Sequence, residues 1–326
     1  MYDISFDLPI WLVIHYHIVG TISIILNSFT LFLVIFKSSK IDNFRYYILV
    51  YQVLCTTVDI HLTFFMQPIP LYPMVAGFCH GILAYLHVTC QVLMCIMIFL
   101  ISAQALSLSM CFINKHQVLA RLCHCHILPA RSFILIFHII PPFVMFATFW
   151  TAGLSREEQV QYIHQNHPEY EQHYQSLPNY AIYDFNTFTN MLMIQTFFLT
   201  TVLLMFFTLL TVDMVKFLKE LSKSMSRSNF KKQRSAVKSL FAQLATTVLL
   251  VAPCAGLIVL LVFQFRKSQL FCDLFLAIFA THSSINAIVL IATFPPYRDL
   301  VLTKIRFKKP SVTASTTSFV APVNVL

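Results

Sequence analysis

Seven stretches of the chain are apolar for long enough to cross a lipid bilayer, and no other feature constrains the fold so tightly. They run over about residues 11–36, 46–67, 82–112, 132–152, 189–215, 239–263 and 271–294. A hydrocarbon core takes roughly 20 residues of helix per crossing. The third stretch exceeds that, so it is expected to tilt or to protrude. The ten-residue alternation of a membrane barrel is absent. A backbone in lipid must satisfy its own hydrogen bonds, which leaves helices. Composition agrees: 58% of the residues are hydrophobic and only 11% charged, against about 25% charged in soluble domains. One soluble core of this size does not hide so much apolar surface. The sequence predicts an all-α membrane protein, a seven-transmembrane helix bundle.

Charge orients the bundle, because inner loops are rich in Lys and Arg. With the N-terminus outside and the C-terminus cytosolic, segments 37–45, 113–131, 216–238 and 295–326 face inward and hold 19 of the 22 Lys and Arg residues. The outward segments keep only Arg156, Arg266 and Lys267, with seven of the 13 acidic residues. One missed or extra helix would scramble this alternation. The first run lacks a basic lead and is too long for the core of a cleaved signal, so it reads as a signal anchor. Residues 1–300 form the predicted seven-helix domain, and 301–326 a basic, then Ser/Thr-rich cytosolic tail. The net charge of +9 is a collar for anionic lipid. Its division among four loops argues against nucleic acid as a partner.

Ionisable groups at membrane depth are candidate functional residues, since they are costly unless paired. Asp59 lies some thirteen residues into the second run, about 20 Å across. His282, Ser283 and Ser284, from "THSSIN" in the seventh run, reach similar depth from the other direction. These four residues are the candidate ligand-binding group, the polar floor of an outward-opening cavity. The competing reading makes them interhelical hydrogen-bond partners, as expected for Asn27, Gln91, Gln104 and Gln243. Pro253, mid-way along the sixth run, removes a backbone donor and predicts a kink there.

The longest polar stretch, 153–188, carries no cysteine. It is either a solvated loop or a cover over the mouth of the bundle. Cys79 and Cys272, near the outer ends of the third and seventh runs, are the candidates for an outer disulfide. Cys123, His124, Cys125 and His126 alternate on an inner segment. That spacing is unlike the usual zinc pattern, so a palmitoylated or inert patch is the better reading and no metal site is assigned. Scattered histidines and the lack of His-Glu-x-x-His or Gly-x-Ser-x-Gly leave no catalytic group to name. No cofactor is implied.

The stretches "FKSSKIDNFRYY", "DIHLTFFMQPIPLYP", "CFINKHQ" and "TFPPYR" resemble those of the nematode class I serpentine chemoreceptors, the Sri family. The resemblance runs over essentially the whole chain. It implies a G-protein-coupled chemosensory receptor at the plasma membrane of a sensory neuron, detecting an unidentified external small molecule. Asn114 stands where the family commonly has Arg. A heterotrimeric G protein is the implied partner, and Lys115, His116, Lys231, Lys232 and Arg234 are the residues expected to face it. Val215, Leu218, Leu221 and Met225 recur at helical spacing beside Lys216, Lys219, Lys223 and Arg227. The fifth span should therefore continue as a basic amphipathic helix. A channel or transporter is the alternative, and an intramembrane enzyme a weaker one.

The charge alternation sets an expectation for topology. An epitope tag placed in 153–188 should be stained by antibody on intact cells, and one in 216–238 only after permeabilisation. Staining of the second tag on intact cells would reverse the assignment.

Overall fold

Apolar side chains in lipid gain nothing from the surrounding solvent, so these helices are held by packing and by the polar groups they bury. The computed structural model describes residues 4–37, 44–125, 131–177, 179–184, 187–263 and 268–306. Its helices are α1 (Ile10–Lys37), α2 (Phe44–Ile60), α3 (Ile82–Tyr85), α4 (Cys90–Leu122), α5 (Arg131–Ala152), α6 (Arg156–Asn166), α7 (Glu171–Ser176), α8 (Thr187–Ser224), α9 (Arg227–Thr246), α10 (Val248–Phe263), α11 (Ser268–Thr293) and α12 (Pro295–Arg306). Among the described residues six apolar helical stretches are long enough to cross a membrane, with α2 counted together with the π-turn His61–Met66 and α9 with α10, and α5 is the seventh of the bundle. In the bundle α1 packs on α2 and α11, and α4 lies centrally against α2, α5 and α8. Ile194, Phe197, Phe198 and Leu204 of α8 stay exposed on its outer face, as a lipid-facing surface requires.

The third apolar run is divided rather than continuous. Its first residues form the short helix α3, and α4 begins only at Cys90, where the Thr89 hydroxyl accepts the Val92 N–H at 3.4 Å. At its far end α4 carries "INKHQ" inside the helix and stops at Leu122. With 33 residues, about 50 Å at 1.5 Å each, it protrudes as its length requires. Helix α8 behaves alike: its 38 residues extend well beyond a hydrocarbon core of about 30 Å. Only Met225 and Ser226 separate it from α9. The sixth span breaks at Thr247, with Pro253 inside α10. The Thr246 and Thr247 hydroxyls donate back to the Gln243 and Leu244 carbonyls at 2.7 and 2.6 Å, a pairing that bends helices.

A small cap covers one end of the bundle. Strands β1 (Pro68–Pro70), β2 (Ala76–Cys79) and β3 (Tyr180–Ile182) form an antiparallel sheet in that order, with Ile69 opposite Phe78 and Gly77 opposite Ala181. Prolines 68 and 70 suit an edge strand, which needs fewer donors. The described residues of segment 153–188 thus fold over the mouth, the second of the two readings open to its sequence. Helix α6 starts at a capping box in which Ser155 and Glu158 bond reciprocally. Accepting the Ser155 N–H holds the Glu158 carboxyl below its ordinary pKa. Ile69, Leu71, Phe78, Ile163, Tyr174 and Tyr180 give the cap its own core, on which Phe6 packs. Gly81 ties it to the π-turn His61–Met66 that follows α2: a Cβ there would sit 2.3 Å from the Phe65 carbonyl oxygen. Beyond the bundle, "TFPPYRDL" ends α11 and starts α12, so the double proline opens the second helix and Phe294 separates the two. Residues His126, Arg266, Lys267 and the tail from 307 lie outside the described part.

The candidate Cys79–Cys272 bridge is not formed in this structure. Each of the nine cysteines carries a free thiol, and the sulfur beside Cys79 is that of Cys90, 2.8 Å away. Asn179 explains the placement. Its backbone carbonyl accepts the Cys79 N–H at 3.1 Å, and its side-chain carbonyl accepts the Cys90 N–H at 2.7 Å. Mild oxidation of the solubilised protein should therefore join Cys79 to Cys90, seen as one linked peptide pair, with Cys272 still alkylatable. A Cys79–Cys272 peptide would contradict the placement.

Candidate functional site

Between cap and bundle lies a cavity of about 370 Å³. The sheet roofs it with Ile69 and Phe78 and the turn between β1 and β2 with Tyr72, α4 supplies Met94, Met97 and Ile101, and α11 supplies Phe275 and Phe279. Leu62 and Met66 close the α2 side, Leu192 and Met193 the α8 side, and Pro253, Cys254 and Leu257 bring α10 to the wall. No Asp, Glu, Lys, Arg or His lines it among the described residues. The sequence carried a faint signal for these walls, methionines three residues apart on one span, but none for the roof.

Asp59, His282, Ser283 and Ser284 do not line this cavity. Asp59 and His282 sit one helical turn further from the cap than the wall residues Leu62 and Phe279, and Gln104 stands likewise below Ile101. All five of these polar side chains are buried. The Gln104 amide approaches His282 Nδ1 at 3.4 Å and the Cys55 thiol at 3.3 Å. The Asp59 backbone carbonyl accepts the Thr63 hydroxyl at 2.7 Å.

Below this layer the polar residues join helix to helix. The Asn27 amide donates to Ser23 at 2.8 Å and to Ser283 at 2.7 Å, and its carbonyl accepts Gln52 Nε2 at 2.6 Å. Asn286 Nδ2 approaches the Gln52 carbonyl at 3.5 Å, and Thr246 lies 3.3 Å from Asn286 Oδ1. One hydrogen-bonded set thus connects α1, α2, α11 and α9. Asn27 and Gln104 have the interhelical role read from sequence. Ser283 joins them there, in the competing reading of its sequence.

At the end opposite the cap the basic residues divide. Lys231, Lys232 and Arg234 are exposed on α9, as are Lys216, Lys219 and Lys223 on α8. Leu221, Ala236, Val237 and Leu240 are buried against the core. Lys115 and His116 differ from the surface placement expected of them, being 4% and 6% exposed. The Lys115 ammonium donates to the Gln233 carbonyl of α9 and lies over the Phe44 ring at 5.4 Å. His116 Nε2 stands 3.8 Å from Asp213, which also meets Lys216 at 3.6 Å. Gln233 was not legible as a functional residue, since nothing in its local sequence distinguishes it from a solvated glutamine.

This architecture matches a crystal structure of squid rhodopsin with a TM-score of 0.58 and 13% identity, over 91% of this chain and 80% of that one. At such identity the likeness defines the fold, a seven-helix membrane bundle of the rhodopsin type. No curated protein matches the sequence. The model of the family described as "Serpentine type 7TM GPCR chemoreceptor Sri" matches residues 2–301. The chain belongs to that family, and is a multi-pass G-protein-coupled chemosensory receptor.

The buried set makes a measurable demand. Asn27→Ala removes interhelical bonds worth about 0.6 kcal/mol each and leaves buried partners unpaired at about 1–3 kcal/mol. The variant should unfold at a clearly lower temperature in detergent. Thr57→Ala, which loses only an exposed bond within α2, should match the parent. Equal midpoints for all three proteins would show that the set contributes little.

Proposed function

We propose that this receptor lies in the plasma membrane with its N-terminus and cap outside, in a sensory-neuron cilium as the family suggests. Its external small-molecule ligand binds in the cavity under the sheet, and its basic face on α8 and α9 engages a heterotrimeric G protein. The observation that carries this reading is continuity along the sixth span. Pro253 and Cys254 line the cavity, and the break at Thr247 lies less than two turns away. Beyond the break, α9 bears both the acceptor of Lys115 and the exposed cations. A ligand that favours one arrangement of α10 biases α9 through this element, which is what coupling between sites requires.

In this scheme Asp59, His282, Ser283 and Ser284 act as the layer beneath the ligand and respond to the shape of the cavity floor. Lys115 and His116 hold the closed inner end and become available to the G protein when α9 swings away from α4. Lys231, Lys232 and Arg234 are exposed already and make the first contact. A collar that merely binds anionic lipid, worth about 1 kcal/mol per cation, makes a different demand on these three residues.

Reversing Lys231, Lys232 and Arg234 to Glu tests the reading in cells expressing the receptor, with a second-messenger readout and membrane current recorded together. The reversal should abolish signalling while surface level and topology stay near normal. Undiminished signalling would place the contact elsewhere, and a current that needs no G protein would replace the receptor reading altogether.

A further inference from the structure

We infer that the cavity selects neutral, mainly hydrocarbon molecules bearing a single hydrogen-bonding group, a ketone or alcohol, which pairs with the Tyr72 hydroxyl. This rests on the reading of the cavity as the ligand site and adds the chemistry of its occupant. Charge is the first argument. An ionised carboxylate or ammonium buried without a partner costs far more than such a cavity returns, and the described walls offer none. The described walls therefore disfavour amino acids, carboxylates and amines.

The second argument is the disposition of the polar atoms in the wall. Tyr183 is already engaged by the Gln91 carbonyl, Thr189 donates to the Asp184 carbonyl at 2.8 Å, and the Cys90 thiol abuts Cys79. The Pro68 carbonyl accepts Tyr16 at 3.1 Å, and the Pro70 carbonyl accepts Gln269 at 3.1 Å. The Tyr72 hydroxyl has no such partner among the described residues. Burial pushes its pKa above the ordinary phenol value, so it stays protonated and can donate or accept. One ligand oxygen satisfies it, and the other lining side chain with a donor but no hydrogen-bond partner among the described residues is Cys254, whose thiol is only a weak donor.

Size and softness complete the description. A volume of about 370 Å³ is at the small end of ligand pockets, which span about 300–1,000 Å³. Met66, Met94, Met97 and Met193 contribute unbranched, polarizable walls that reshape readily around different occupants. The site should accept a homologous series rather than one compound.

The test uses the full chain, purified and reconstituted, with unfolding followed by a thiol-reactive fluorophore. Methyl ketones and primary alcohols of graded chain length are compared with carboxylates and primary amines of equal carbon number. Ketones and alcohols should raise the unfolding temperature with an optimum chain length, and the charged congeners should not. Tyr72→Phe should weaken ketone binding roughly three- to tenfold, the loss of one neutral hydrogen bond, while binding of the matching alkene is kept. Met97→Trp and, separately, Leu257→Trp, each checked as monodisperse, should abolish stabilisation by filling the cavity. Stabilisation by the carboxylate or amine series, no stabilisation by any ketone or alcohol, or ketone binding that survives both filled variants would overturn the inference. No G protein is present, so a failure here is distinct from a failure of signalling, and the reverse holds as well.

Discussion

The hydrogen bonds that Asn27 makes to Ser23, Ser283 and Gln52 are the contacts on which the arrangement of the helices depends. In lipid, apolar side chains are as well solvated apart as together, so they do not select which faces of two helices meet. A buried amide does select, because each polar atom without a partner carries its full desolvation cost. Asn27 therefore sets the rotation of α1 against α2 and α11 together. Asn286 and Thr246 carry the same constraint to the end of α9. The cavity above and the Lys115 contact below are built on helices positioned by this set.

The cap depends on a different kind of constraint. It combines chain from residues 68–79 with chain from 153–182 and the N-terminal segment, and the two strand-forming stretches are about a hundred residues apart. Backbone pairing holds them in register, and close approach holds them to the bundle: no side chain fits at Gly81 against the Phe65 carbonyl. Because α2 ends in a π-turn at His61–Met66 and Gln67 takes a left-handed conformation at φ 44°, the chain leaves the helix sharply and returns as a roof. That conformation is uncommon for a residue with a side chain. Here the Gln67 N–H donates to the Leu62 carbonyl at 3.0 Å, and its amide to the Thr63 carbonyl at 2.7 Å.

The sixth span links these two regions. Its proline touches the cavity, yet its helix gives way at the Thr246–Thr247 pair, where the side-chain hydroxyls compete for backbone carbonyls. Thr246 is also in reach of Asn286, so the break in the helix is joined to the hydrogen-bonded set around Asn27. Beyond it the buried Lys115 ammonium donates to the Gln233 carbonyl of α9 and lies over the Phe44 ring. Moving α9 away from α4 breaks this charge-assisted hydrogen bond inside the protein, and such bonds are stronger than neutral ones.

By itself the sequence determined the solvent, the number of crossings, the ends of most helices and the basic face on α8 and α9. Each follows from patterns local to one segment: an apolar run of sufficient length, a helical repeat of Leu and Lys, a proline pair at 295–296. It also showed that residues such as Asn27 and Asp59 are polar at depth. Only the tertiary structure decided which of them meet. Asn27 bonds Ser283 across 256 positions of chain, and Lys115 meets Gln233 across 118, pairings that no local period encodes. The sheet, the Cys79–Cys90 contact and the cavity have the same origin. Each is a surface shared by segments remote in sequence, and only the folded chain brings such segments together.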